Sequence, residues 1–438
     1  MNRRQWMASA GALALTACNQ EQKPVVEAAT KKPVGDPFVG QKLMSDVEAY
    51  VGFGTHRSGS PGDVSTSDWF AKHWKDLGFT VEQPEFAVPN ADTHVAKLRV
   101  GTEAFDGFAQ PPLVFTPEGG VNAPLAWWDP KTPSKVTGKI ALVHVPREPG
   151  NPSPFAAYRD AFQKCELAGA VGVVAVMSGP SGEVVAINTP ADMLLNTPVL
   201  QVGEKEKARI DAAVASKTPG KLIIEGPGGF RNAKNTIARH GEKGPWVIVS
   251  TPQSGWFTCG GERGPGIAMS RALSQWAMQT NYPVRWLFVA TSGHEWTDFG
   301  ADLFHKSGAP GPKDTAIWFH LGASFGARAY EETNSGLVPK DTPNLGRTLM
   351  TTADVMPLAQ AAFAGQPVIG KPLMADKKKA LGEYRLVLEE GYMTSAGFWG
   401  FNAHFHTPVD GAESTTPEIM EPIARAIARV IEARIKAV

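Results

Sequence analysis

Cysteine is scarce in this chain: three residues, Cys18, Cys165 and Cys259, in a total of 438. Thiols so few and so far apart make no disulfide framework, so a buried core has to hold the fold. A charge of one sign is missing as well. Lys plus Arg number 43 and Asp plus Glu 43, for a formal net charge of +0, and no basic run is interleaved with aromatics. The footprint of a polyanion-binding surface is therefore absent, and no nucleic-acid partner is expected. The apolar run at 8–17 is too short to span a bilayer. No internal repeat occurs, and no low-complexity tract follows the first 40 residues. Hydrophobic residues make up 42% and charged residues 20%, a globular balance, in a length that allows two to three domains.

The run at 8–17 sits in an ordered pattern. Arg3 and Arg4 precede it, and Leu15-Thr16-Ala17 leads into Cys18. A charged start, a short apolar stretch and small residues before a cleavage point make a signal peptide. Leu-Thr-Ala-Cys resembles the lipobox of bacterial lipoproteins, in which Cys18 becomes the lipidated first residue. The twin arginine resembles the signal for export of folded protein. A plain cleaved signal with an incidental Cys18 is the other reading. Residues 1–18 are read as the signal peptide with its lipobox and 19–40, rich in Glu, Lys, Pro and Ala, as a tether. The expected location is the periplasmic side, with the membrane touched only through the lipid anchor.

Beyond the tether the pattern is helical to about residue 89, interrupted at 52–62, with a second helix over 65–77 closed by Gly78. Between 110 and 225 short β runs alternate with Pro and Gly, and one helix is expected over 158–168. Residues 139–145, 171–177, 197–202 and 221–225 read as strands. From Asn235 onward strand and helix alternate: strands at 237–239, 246–250, 284–290 and 315–319, helices at 267–279 and 299–307. A C-terminal helix carries Ile419, Ile423, Ile427, Val430 and Ile431 at helical spacing. Alternation of this kind predicts an α/β fold, a mostly parallel mixed sheet with helices on both faces.

Five motifs in order carry a family resemblance. Gly54–Gly62 reads GTHRSGSPG, Gly138–Val143 GKIALV, Ala168–Val174 AGAVGVV, Asn235–Arg239 NTIAR and His406–Asp410 HTPVD. Together they resemble the zinc aminopeptidase and glutaminyl cyclase superfamily. The resemblance implies a catalytic domain of residues 41–109 and 226–438, with a protease-associated domain inserted at 110–225. It also implies where the metal ligands stand. The family's first His-x-Asp falls on Pro252-Gln253-Ser254, so the ligating His is absent and Ser254 replaces the Asp. Glu262 falls nearest the bridging Asp. His294-Glu295 matches a Glu-Glu pair, placing His294 as general base and Glu295 as ligand. A further Asp becomes His320, and His406 is retained. Glu262, Glu295 and His406, with His320 close by, are thus expected to hold one zinc ion with an open position.

The residues allow other readings. Cys259, beside Gly260 and Gly261 before a helix, suits a thiolate nucleophile activated by His294, or a small packed residue. Arg263 suits a clamp for a substrate carboxylate, or an ion pair with Glu262 or Asp298. Trp256, Trp296 and Trp399 suit a pocket for an apolar group, with Ser254 and His404 as further contacts. Because 403–406 reads as strand-like, His404 and His406 are expected to face one side. The function expected is hydrolysis of an amide or peptide-like bond in a small molecule or peptide. The alternatives are a non-catalytic binding protein on a degenerate peptidase scaffold, and a metal-independent Cys259/His294 hydrolase or lyase.

Overall fold

The computed structural model describes residues 34–189 and 195–438. Cys18, the signal peptide and the first part of the tether lie outside the described residues. Among those described, no helix is long and apolar enough to cross a membrane.

One eight-stranded sheet organises the chain. Its strands are β1 (Thr80–Glu82), β2 (Thr236–His240), β3 (Trp246–Pro252), β4 (Arg285–Thr291), β5 (Thr315–His320), β6 (Arg347–Thr351), β7 (Leu373–Met374) and β8 (Ser395–Gly400). Their order across the sheet is β1-β2-β4-β3-β5-β8-β6-β7. The centre, β4-β3-β5-β8, is parallel throughout, as expected for strands buried on both faces. The alternation of side chains shows why these runs are apolar without a break. Val247 and Val249 enter the core on one face, with Phe288, Ile317 and Phe319. Ile248, Leu287, Val289 and Trp318 enter the other.

Helices cover both faces. On the first lie α1 (Gly40–Gly52), α3 (Gly264–Gln279) and α6 (Pro417–Ile435), and α2 (Pro61–Asp76) packs beside them. The α6 stripe Ile419, Ile423, Ile427, Val430 and Ile431 is buried as its spacing requires. On the second face lie α4 (Phe299–Ser307) and α5 (Glu383–Glu389), through Phe304, Tyr384 and Val387. α5 is held by a close approach. Gly397 of β8 lies under the Tyr384 ring, and a Cβ there would stand 2.3 Å from its Cγ. Gly397→Ala is therefore expected to destabilise the protein by about 1–3 kcal/mol, measured by denaturant unfolding.

The β-rich segment makes sheets of its own, and among the described residues none of them is hydrogen-bonded to the central one. A five-stranded sheet contains Ile140–His144, Gly172–Met177 and Val199–Gly203, and a four-stranded one pairs Val95–Val100 with Gly220–Glu225. This separate β-structure begins at Val95, ahead of residue 110, because the strand after Gly101 folds back on Val95–Val100. The helix expected over 158–168 spans Phe155–Leu167 and reaches toward the central sheet, where Phe155 meets the His406 ring.

Candidate active site

Parallel strands deliver their C-terminal ends to one edge, and the loops there make the site. β3 runs into 253–263, β4 into Ser292-Gly293-His294-Glu295, β5 ends on His320, and β8 leads to His406. The loop 258–262 is pinned from the last of these. The Asp410 carboxylate accepts the backbone N–H of Gly261 at 3.0 Å and of Glu262 at 2.9 Å, and the Asp410 carbonyl accepts that of Gly260 at 2.7 Å.

This pinning turns Glu262 inward, against Arg263. Arg263 is 1% exposed; its Nη2 stands 2.9 Å from Glu262 Oε1 and 3.8 Å from Glu295 Oε1. Its Nε donates to the Ser254 carbonyl at 2.9 Å. His406 Nε2 approaches Glu262 Oε1 at 3.3 Å, while Nδ1 faces the Ala186 carbonyl at 2.9 Å. Glu295 Oε2 accepts from Ser254 Oγ at 2.7 Å and from Ser58 Oγ at 3.1 Å. Burial alone would raise the Glu262 carboxyl, but Arg263 and His406 outweigh it and hold it at about 2.

A second cluster stands beside the first. His294 Nδ1 lies 3.0 Å from Asp298 Oδ1 and 3.3 Å from Glu383 Oε1. Both Glu383 oxygens also accept from Thr291 Oγ1, at 2.9 and 2.8 Å. Burial and Arg263 press the His294 pKa down, yet the two carboxylates win and lift it to about 10. Burial raises Glu383 above the ordinary carboxylate range, against the pull of His294 and Thr291. His320 is neutral: burial, with His294 nearby, depresses it to about 3, and its Nδ1 meets Ser250 Oγ at 2.9 Å.

Both clusters border one cavity of about 780 Å³. Arg263, His294, Asp298, His320, Glu383 and His406 supply its charged and polar wall, and Phe155, Trp399, Phe401 and Phe405 an aromatic one. Of the residues singled out in the sequence, Arg263, His294, His320, His406 and Trp399 meet at this cavity, with Glu262 and Glu295 directly behind Arg263. Ser254 is fully buried under Glu295. Trp256 packs on Trp296 at 6.3 Å outside the cavity lining and donates at 2.8 Å to Asn188, which does line it. Cys259 is 1% exposed, and burial with Glu262 beside it pushes the thiol well above its ordinary range, opposite to what a nucleophilic thiolate needs.

The expected strand at 403–406 is a turn. His406 has φ +60°, which breaks the two-residue alternation and sends the two imidazoles apart. His404 bonds Ser414 at 3.2 Å and packs tilted against the Tyr330 ring at 4.5 Å, while His406 turns to Glu262. Two cavity groups escaped the sequence reading. Asp298 entered it only as a partner for Arg263, and Glu383 not at all.

The arrangement has solved relatives in shape. A zinc aminopeptidase from Bacillus subtilis superposes with a TM-score of 0.71 at 16% identity, over 91% of this chain and 96% of that one. The fold is that of the zinc aminopeptidases. A Peptidase M28 precursor from Shewanella amazonensis SB2B gives 0.68 at 15% identity, over 91% and 96%, and an aminopeptidase from Aneurinibacillus sp. strain AM-1 gives 0.60 at 15%, over 91% and 95%. Neither a family model nor a curated protein matches the sequence.

A fold shared with zinc enzymes raises the question of whether zinc fits. Between Glu262 and Glu295 it does not: the guanidinium already stands against both carboxylates. A dication about 4 Å from that fixed charge meets about 8 kcal/mol of repulsion at an effective dielectric of about 20. His294, Asp298 and Glu383 place one ligand atom each within 4.8 Å, donor types zinc accepts. There, however, the imidazole N–H already fills the space between the carboxylates.

Proposed function

We propose that the chain hydrolyses an amide or peptide-like bond in a small molecule or peptide held in the 780 Å³ cavity. One observation carries the reading: the His294 imidazole, clasped at Nδ1 by Asp298 at 3.0 Å and Glu383 at 3.3 Å, borders a cavity large enough for a substrate. Titratable groups whose surroundings drive their pKa values apart are the usual sign of an acid and a base.

The roles follow from those shifts. Glu383, made more basic by burial, takes a proton from water as its oxygen bonds to the carbonyl carbon. His294, protonated at neutral pH, enters as the acid rather than the base. Its Nδ1–H is engaged, so Nε2–H faces the cavity and gives its proton to the departing nitrogen as the C–N bond breaks. Glu383 then gives its proton to solvent and His294 Nε2 takes one back from solvent, which resets the site while Nδ1 keeps its own proton between Asp298 and Glu383. Asp298 keeps the imidazole oriented. The aromatic wall of Phe155, Trp399, Phe401 and Phe405 suits an apolar group next to the scissile bond.

Export and lipid anchoring at Cys18 complete the proposal, on the pattern of residues 2–18, with the segment from Val95 to Glu225 read as the protease-associated domain. A panel of aminoacyl and other small amides, assayed with wild type and Glu383→Gln, tests the activity. Turnover of at least one amide, reduced about 10²–10⁴-fold in the variant, is expected. No turnover across the panel, or an unimpaired variant, sinks the reading.

A further inference from the structure

Two buried carboxylates lie behind the cavity wall, Glu262 and Glu295, with side chains 0% and 1% exposed. Each costs several kcal/mol to bury unless a cation meets it. Arg263 is that cation. Of its donors, Nε serves the Ser254 carbonyl and Nη2 stands 2.9 Å from Glu262 Oε1 as an ion pair, and among the described residues both Nη1 and Nη2 are shut from solvent without a directed hydrogen bond. Glu262 Oε2 and His406 Nε2 are likewise without a directed bond at the same spot, so the cluster is built but not complete. Arg263 borders the cavity, and its planar fork has little freedom to turn Nη1 elsewhere while Nε is held by the Ser254 carbonyl and Nη2 is drawn to Glu262.

We propose that Arg263 is the resident cation of this site, holding the place between Glu262 and Glu295 that a metal ion would need and presenting Nη1 to the carbonyl oxygen of the substrate. The second half rests on the amide-hydrolysis reading; the first does not. As water adds to the carbonyl carbon, the π pair moves to an oxygen facing Nη1 and returns as the C–N bond breaks. A fixed charge aimed at that oxygen does the work of an oxyanion hole.

The test uses the whole protein and zinc alone as probe. Wild type, Glu262→Gln and Arg263→Ala are stripped with chelator, incubated with zinc, desalted and assayed for metal. Wild type and Glu262→Gln should take up the same amount. Arg263→Ala should gain about one ion per chain through Glu262, Glu295 and His406, and zinc should raise its Tm. Zinc bound by wild type and lost in Glu262→Gln overturns the assignment. Should Arg263→Ala not fold, the wild-type comparison still decides. On an amide that wild type turns over, Arg263→Lys keeps the charge but loses the fork. Its kcat should fall about 10²–10³-fold with KM little changed; an unchanged kcat removes the oxyanion role. Failure of the hydrolase reading shows instead as wild type inert on every amide, with the zinc result standing by itself.

Discussion

Arg263→Ala is expected to destabilise the fold by about 3–5 kcal/mol, the range for breaking a buried ion pair by removing one partner. The cause is not lost packing alone. Glu262 and Glu295 would remain enclosed with no guanidinium facing them. The pH dependence separates this from a cavity effect. In the wild type, Glu262 sits at about 2, below its unfolded value, so its contribution is present above the unfolded pKa and lost as pH falls through about 2. Without Arg263, burial dominates and the carboxyl is pushed upward. Its contribution then lies below the unfolded pKa and is lost as pH rises. The gap in unfolding free energy between wild type and variant should therefore widen from pH 4 to pH 7 in denaturant titrations. A second substitution, Glu262→Gln, should recover part of it. A gap under about 1 kcal/mol that is flat with pH contradicts the pairing.

The clash between Arg263 and a metal shows where sequence reasoning reached and where it stopped. Runs such as VIV at 247–249 and AIWF at 316–319 are apolar because both faces of a parallel strand are covered, so the central sheet was legible. The helix expected over 299–307 is found at those bounds. The loop at 253–263 was legible as a connection that leaves a parallel strand and enters a helix. What Arg263 does was not. Substrate clamp and ion pair were equally open until the Asp410 carboxylate, 147 positions on, was seen to pin Gly261 and Glu262 and turn the carboxylate onto the guanidinium.

Glu383 was hidden for a different reason. It stands in KKKALGEYRLVLEE, a charged stretch that looks like a solvated surface, on a helix only seven residues long. Tyr384 packed over Gly397 and the Thr291 hydroxyl on both carboxylate oxygens hold the preceding carboxylate inward, within 3.3 Å of His294. The alternation at 403–406 misled because a local pattern carries no sign of the positive φ at His406. For Arg263 and Glu383 a long-range contact sets the direction of the side chain, and for His406 the backbone turn does.

His294→Gln is expected to lower turnover of an amide about 10²–10⁴-fold, the usual worth of one proton-transfer group. The sign of its pH dependence is fixed by the two carboxylates. With the folded pKa near 10 and the unfolded one near 6.5, His294 stabilises the protein fully below the unfolded value and loses that contribution as pH rises through about 10. Thermal unfolding followed from pH 7 to pH 10.5 should show a decline in Tm that His294→Gln lacks. As the acid of the reaction, the same group sets an alkaline limb in kcat/KM. Asp298→Asn removes one of the charges holding the proton, so that limb should move to lower pH while Glu383 remains in place. A limb unmoved by Asp298→Asn would assign the proton to another group. Full activity in His294→Gln would remove the imidazole from the reaction, leaving the Asp298–His294–Glu383 contacts as an internal ion triad.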